Sequence, residues 1–368
     1  MDIGNNTGIE VKFFSLLQLA VGSSKEINYT ITDDEWHAIY KLSMEQSLTA
    51  VILRAADELS KISGCKPPLT LLYTWIGQTE NIKERSKMVT LQCQKLAAWF
   101  SNLGYANCIL KGQGVAKLYH QPDERQAGDI DIWVDADRDE IVDVMRFCSI
   151  DVTYVDYVNC HASFFTDTEV EVHFRPTWMF NPYRNWKVQK WIKEKWQAQM
   201  DNYDSNAGFG YPTIGFNLVF SLIHIYRHVF FEGIGLRQLT DYYYILYNST
   251  AEERDEALKT LRSIGMEKFV GAVMYIMKRV FNINDELLLC KPNEVRGERL
   301  LSEIIKGGNF GKYDNRNKYV PNDKKIRRGI NNWNRNVRFV KDYPSEVLWM
   351  PLWKIWHWVW RKWKGYLR

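Results

Sequence analysis

The chain has 368 residues, 46% of them hydrophobic and 25% charged, an ordinary globular composition with length for two or three domains. A net charge of +4 is too small to mark a nucleic-acid binder, and no stretch approaches the ~18 consecutive apolar residues of a membrane span. The charge is uneven, however: residues 324–368 hold twelve Lys or Arg against Asp342 and Glu346, so this tail carries +10 and the remainder −6. A basic tail on an acidic body points to docking on the body itself or on something anionic.

The six cysteines, Cys65, Cys93, Cys108, Cys148, Cys160 and Cys290, include no CxxC pair. That argues against zinc and redox-dithiol sites and leaves free thiols in a reducing compartment. The N-terminus has no basic leader region, and Gln18 interrupts the apolar run over 13–21. An amphipathic helix is expected there, with a cytoplasmic location as the default.

Residues 1–104 read as a helical region. Thr32 with Glu35 forms a capping-box pattern ahead of Trp36, Ile39, Tyr40 and Leu42, and Gly64 and Pro67-Pro68 punctuate the next connection. A long helix is predicted over 69–103, with Gly104 at its C-terminal cap. Residues 105–182 change texture into a compact α/β unit. There an apolar run at 108–110 stops at Lys111-Gly112-Gln113-Gly114, and a short helix follows over 115–120. Ile130, Ile132 and Val134 alternate with Asp129, Asp131 and Trp133 as in a strand. A helix is expected over 137–148, then strand-like runs over 152–158 and 163–174. Residues 183–306 are mostly helical, with a turn-rich break at 208–212. The last region, 307–368, comprises a polar Gly/Asn-rich stretch over 307–322, expected as a flexible loop or linker, and the basic Trp-rich tail.

The sharpest chemical feature is the acidic strand. Residues two apart on a strand share a face, so Asp129 and Asp131 present carboxylates side by side, roughly 6.5–7 Å apart at Cα. Like charges that close are unfavourable unless a cation lies between them. Mg²⁺, with Mn²⁺ as its substitute, is a hard cation that takes carboxylate oxygens together with substrate phosphates. A third carboxylate comes from the run 169–174, where Glu169, Glu171 and His173 share one face and Val170, Val172 and Phe174 the other. Glu171, flanked by valines, is the choice and Glu169 its rival; His173 stands nearby as a substrate contact or a partner of the ligands. Upstream, Lys111, Gly112, Gln113 and Gly114 join a strand to a helix, where backbone N–H groups and an ammonium can meet phosphate. Arg227, Arg237 and Asp241 are candidates to line the same cleft.

The run Ile109-Leu110-Lys111-Gly112, then Leu118-Tyr119 with Pro122 and Arg125, then Gly128-Asp129-Ile130-Asp131, resembles the polymerase-β-like nucleotidyltransferase superfamily. In particular it is similar to an uncharacterised bacterial family often associated with surface-polysaccharide loci. That family's lysine-glycine strand end, its arginine before an acidic strand and its later Glu-x-His strand match Lys111-Gly112, Arg125, residues 129–134 and Glu171-Val172-His173. His224, His228, Gly235-Leu236-Arg237 and Asp241 extend the likeness, which covers roughly residues 90–245. The resemblance implies an α+β nucleotidyltransferase fold: a small mixed sheet with flanking helices, joined to N- and C-terminal helical segments. It implies catalytic, metal-binding Asp129, Asp131 and Glu171, with Lys111, the 112–114 loop, Arg125, His173 and Arg237 around the nucleotide. The implied reaction moves an NMP from an NTP such as ATP to an acceptor that the sequence does not name, whether small molecule, saccharide or protein. One departure falls in the first loop, where superfamily members carry Gly-Ser and this chain has Gly112-Gln113-Gly114.

Two other readings compete: a catalytically degenerate nucleotide-binding or scaffold module, and a DxD nucleotide-sugar glycosyltransferase. His224 and His228 lack the glutamate of a zincin motif and read as hydrogen-bonded core residues. In the tail, Trp349, Trp353, Trp356, Trp360 and Trp363 trace one helical stripe, with Trp358 off it. Such a helix either packs on the body or rests on anionic lipid, which would place the protein at the inner face of the membrane.

Overall fold

The computed structural model describes residues 3–366 apart from 26, 28, 315 and 317–323, and gives the backbone alone for 3–7, 324–329 and 331–332. Helices α1 (Ile3–Val21), α2 (Asp33–Glu45), α3 (Thr49–Ser63) and α4 (Leu69–Asn102) precede the sheet. Thr32 caps α2 as its spacing predicts: its hydroxyl accepts from Glu35 N at 3.4 Å, and the Glu35 carboxylate accepts from Thr32 N at 2.8 Å. Gly64 closes α3 in the left-handed region, at φ 75°.

Strands β1 (Asn107–Leu110), β2 (Ile130–Val134), β3 (Val152–Val155), β4 (Asn159–Ala162) and β5 (Val170–His173) form one sheet in the order β1-β2-β5-β4-β3. Strands β2 and β5 run parallel, and the other neighbours run antiparallel. Short α5 (Gly112–Ala116) follows β1, and α6 (Arg138–Phe147) follows β2. The two strand-like runs expected over 152–158 and 163–174 are in fact three strands. Asp156 Oδ1 accepts from Val158 N at 2.6 Å and Asn159 N at 2.9 Å, which reverses the chain between β3 and β4. Residues 163–169 turn again, tied down where Asp167 and Thr168 meet Arg85 and Gln92 of α4.

Strand alternation sorts the sheet into two faces. Ile109, Ile130, Ile132, Val134, Val170 and Val172 bury against Val89, Leu96 and Phe100 of α4 and Ile141 and Met145 of α6. The opposite face carries Leu110, Asp131, Trp133, Glu171 and His173, and Trp133 there stacks on Phe216, ring centroids 5.9 Å apart. That face looks onto helices of the rest of the chain, α7 (Pro182–Met200), α8 (Ile214–Phe231), α9 (Leu236–Tyr247), α10 (Ala251–Ser263), α11 (Glu267–Phe281) and α12 (Glu294–Gly307), whereas a small hairpin of β6 (Tyr203–Asp204) and β7 (Phe209–Gly210) sits beside β1 with Phe209 buried on the α4 side. Helices before and after the sheet share one apolar core, in which Phe13, Trp36 and Ile52 join Phe220, Tyr226, Tyr242 and Phe269. Helix α8 is apolar enough by length and composition to cross a membrane, contrary to the sequence expectation, but most of it is buried in this core.

The stretch expected as a flexible loop docks instead over its first half. Asn309 is buried, donating to Ser47 Oγ at 2.9 Å and accepting from Gln238 Nε2 at 3.0 Å. A Cβ on Gly311 (φ 64°) would lie 2.3 Å from the Glu232 carbonyl oxygen, so only glycine fits there. Residues 317–322 lie outside the described residues. Helices α13 (Lys324–Phe339) and α14 (Pro344–Trp363) complete the fold. All six cysteines are free thiols.

Candidate active site

The parallel register of β2 and β5 sets Asp131 opposite Glu171, and antiparallel β4 places His161 beyond Glu171 and Asn159 beyond His173. The result is a polar cluster in the middle of an otherwise apolar face. Asp131, Glu171 and His173 each offer a ligand atom within 4.8 Å of the others, a donor set of two carboxylates and, once Nε2 gives up its proton, an imidazole that suits a divalent cation. His173 Nε2 donates to Asp131 Oδ1 at 2.8 Å and lies 3.3 Å from Glu171 Oε2, while Nδ1 donates to the Arg175 carbonyl at 3.2 Å. Asn159 Nδ2 donates to the same Glu171 oxygen.

Lys111 enters the cluster from the end of β1. Its backbone is held at φ 49°, an uncommon conformation for a side chain-bearing residue, and its Nζ lies 2.7 Å from Asp131 Oδ1. Burial opposes the Asp131 charge, yet the Lys111 ammonium and the His173 hydrogen bond hold its carboxyl well below the usual carboxylate range. Burial likewise opposes a charge on His173, but Asp131 and Glu171 win and push its pKa up to about 9. A charged imidazolium agrees with the geometry, since both ring nitrogens face acceptors. Glu171 is held below its ordinary value against its own burial, first by the His173 hydrogen bond.

The expected trio of Asp129, Asp131 and Glu171 is therefore joined differently from the prediction. Asp129 precedes the first ladder residue of β2 and stands outside the tight group, though it feels the charges of Asp131, Lys111, Glu171 and Arg237. It keeps solvent access, yet crowding protein atoms, and after them the Asp131 charge, push its pKa up to about 6. Glu169, the rival, is exposed and paired with His161.

Other residues expected around the nucleotide are occupied elsewhere. Gln113 is buried with its amide turned into α4, donating to Thr90 Oγ1 at 2.7 Å and the Ser86 carbonyl at 3.1 Å. Gly114 serves a backbone crossing, because a Cβ there would lie 2.6 Å from the Ile109 carbonyl oxygen. Gly112, at φ 37°, begins α5 next to the Asp129 backbone. Arg125 is buried in a two-pronged pair with Asp241, both bonds 2.8 Å, and Tyr119 also donates to Asp241 at 2.7 Å. A guanidinium so engaged is a strut, not a free phosphate ligand. Arg237 differs: Nη1 donates to the Gln126 carbonyl at 2.8 Å, and its buried Nε has no partner among the described residues.

Helix α8 closes the far side. Arg227 stacks on Trp178, and its buried Nε also lacks a partner among the described residues. Burial lowers the Arg227 pKa to about 9 against the opposing pull of Asp156, Glu171, Glu232 and Asp131. His224 and His228 contact each other, ring centroids 4.2 Å apart. Burial and neighbouring cations keep both neutral, His228 with its pKa lowered to about 3. Sequence reasoning missed Asn159 and His161, whose place beside Glu171 depends on a β4–β5 pairing that no local pattern announces.

Residues 32–282, more than half of the chain, match a protein family described as uncharacterised nucleotidyltransferase. The fold is also similar to the crystal structure of an antigenic nucleotidyltransferase-like protein from Paracoccidioides brasiliensis. That likeness has 13% identity and a TM-score of 0.34, and covers 57% of this chain and 96% of that chain. No curated protein matches the chain.

Proposed function

The chain belongs to the uncharacterised nucleotidyltransferase family, and from that premise we propose that it moves a nucleoside monophosphate from an NTP to an acceptor hydroxyl or phosphate, with Mg²⁺ as its metal. The observation that carries this reading is the pairing of Asp131 with Glu171 across β2 and β5, with Lys111 at the neighbouring strand end. In the reaction an acceptor oxygen attacks the α-phosphorus, the bridging α–β P–O bond breaks, and pyrophosphate leaves. Asp131 and Glu171, with Asp129 beside them, would hold the divalent ion, and the close approach of their donor atoms fits that role. A bound ion supplies charge neutralisation on the phosphates and aligns the attacking and leaving oxygens.

The chain's own residues do the rest. Lys111, released from Asp131, sets its ammonium against the phosphates. Glu171, which keeps some solvent access, takes the acceptor's proton. Arg237 and Arg227, each with a buried Nε that has no partner among the described residues, lend positive charge to the pyrophosphate side of the cleft. A panel of NTPs read by thermal shift and pyrophosphate release, with and without Mg²⁺, tests this. One nucleotide is expected to stabilise the wild type only with Mg²⁺ and to release pyrophosphate, and Asp131→Asn is expected to lose both. If no nucleotide gives a metal-dependent shift, the reading fails.

One observation favours a second reading, a nucleotide-binding module without turnover. Lys111 and charged His173 already balance the acids. Nucleotide binding that never yields pyrophosphate with any acceptor fraction would select it.

A further inference from the structure

Helix α14 is anchored along one side. Trp353 stacks on Trp178 at 5.1 Å between centroids, Trp356 meets Tyr157 at 5.5 Å, Glu346 accepts from Phe180 N at 2.8 Å, and Lys364 pairs with Asp139 at 2.9 Å. Trp353, Trp356 and Trp360 of the stripe read from the spacing therefore attach the helix to the body.

The other side has no such anchors among the described residues. Leu348, Leu352, Ile355 and Val359 recur at steps of four, three and four, share one arc of the helix, and are each more than half exposed. Trp363, 79% exposed, ends the stripe, and Lys362 is the one charged residue within that arc. A surface helix of a water-facing protein carries polar residues outward, so this face is inverted. Helix α13 repeats the pattern: Ile330, Trp333 and Val337 are exposed on one face, while Arg338 turns inward to Glu303 at 3.0 Å. The two helices meet through Asn336 and Met350, and both lie outside the residues matched by the family.

We propose that the outer face of α14 seats on an anionic lipid surface, with the helix lying in the plane of the interface. Charge decides between lipid and a second copy of the chain. Residues 324–368 carry +10 against −6 elsewhere, so two copies brought together at this end of the chain would repel through the charges that flank the apolar face, whereas anionic headgroups attract this end and repel the rest. Trp349, Trp358 and Trp363 border the aliphatic stripe, the position where an amphipathic ring suits the headgroup level. Lys354, Arg361 and Lys362 exclude a membrane span for this helix.

The test is flotation of the full chain with phosphatidylglycerol-containing vesicles and with phosphatidylcholine vesicles. It is repeated for the triple variant Leu352→Glu, Ile355→Glu, Val359→Glu, whose altered side chains are solvent-facing and whose folding is checked by circular dichroism and melting temperature. Wild type is expected to float with the anionic vesicles at least about tenfold more than the variant, and less as salt rises. Equal flotation of both, or none by either, overturns the proposal. So does a wild-type dimer in light scattering that the variant dissolves, which would assign the face to a second copy. Nucleotide-dependent thermal shifts in the variant report separately on the cleft.

Discussion

Replacing Asp241 with Ala removes the centre of a buried polar strut. Arg125, 5% exposed, donates from Nε and Nη2 to the two carboxylate oxygens at 2.8 Å each, and Tyr119 donates to the same group at 2.7 Å. Without the carboxylate, a guanidinium and a phenol are left buried and unpaired. Breaking a buried pair from one side costs about 3–5 kcal/mol, and an orphaned hydroxyl about 1–3 kcal/mol. The loss for Asp241→Ala is therefore expected to be at least about 4 kcal/mol, a large part of a typical domain's stability. Removing both charges with Arg125→Met and Asp241→Leu is expected to recover most of that, because apolar replacement of a buried pair is often close to neutral. Urea denaturation followed by tryptophan fluorescence and circular dichroism gives both values. A single-variant loss below about 1 kcal/mol would refute the strut assignment. An Arg125→Lys variant that keeps full stability yet loses the nucleotide-dependent thermal shift would return Arg125 to phosphate binding.

Lys111→Met removes the ammonium 2.7 Å from Asp131. Without nucleotide it is expected to tighten Mn²⁺ binding roughly tenfold, read by electron paramagnetic resonance titration, as a competing cation is gone; unchanged or weaker binding contradicts that competition. His228 is held neutral in the fold, its pKa lowered to about 3 by burial and by Arg227 and Lys111, whereas the unfolded chain protonates it near pH ~6.5. Its contribution is complete above that pH and is lost as pH falls toward the folded value, at about 1.4 kcal/mol per unit. His228→Gln is expected to flatten the acid limb of stability against pH by that slope, and an identical limb in wild type and variant would show that His228 does not titrate on unfolding.

Much of this was legible because it depends on neighbours in the chain. The capping box at Thr32 and the left-handed stop at Gly64 are local chemistry, satisfied within a few residues. The alternation through Ile130, Asp131 and Ile132 likewise announces a strand with an acid on the face opposite its apolar partners. What escaped reading depends on partners distant in sequence. Arg125 has the sequence position of a phosphate ligand, but Asp241, far along the chain, engages its guanidinium. Gln113 sits in a loop of phosphate-binding appearance but hydrogen-bonds into α4. The tryptophan spacing in α14 revealed a helical stripe without saying which side faces the body, since helical periodicity defines an arc but not its orientation in space.

The amino-acid order by itself marked the helices around Thr32, Gly64 and residues 69–103 and placed Asp131 and Glu171 on strands, because backbone periodicity and capping act over a turn or two. Tertiary structure alone decided that β2 lies parallel to β5, which brings Asp131, Glu171 and His173 within ligand distance and sets Lys111 among them. Strand register and long-range ion pairs arise from burying one whole face at once, and no local window of sequence contains that constraint.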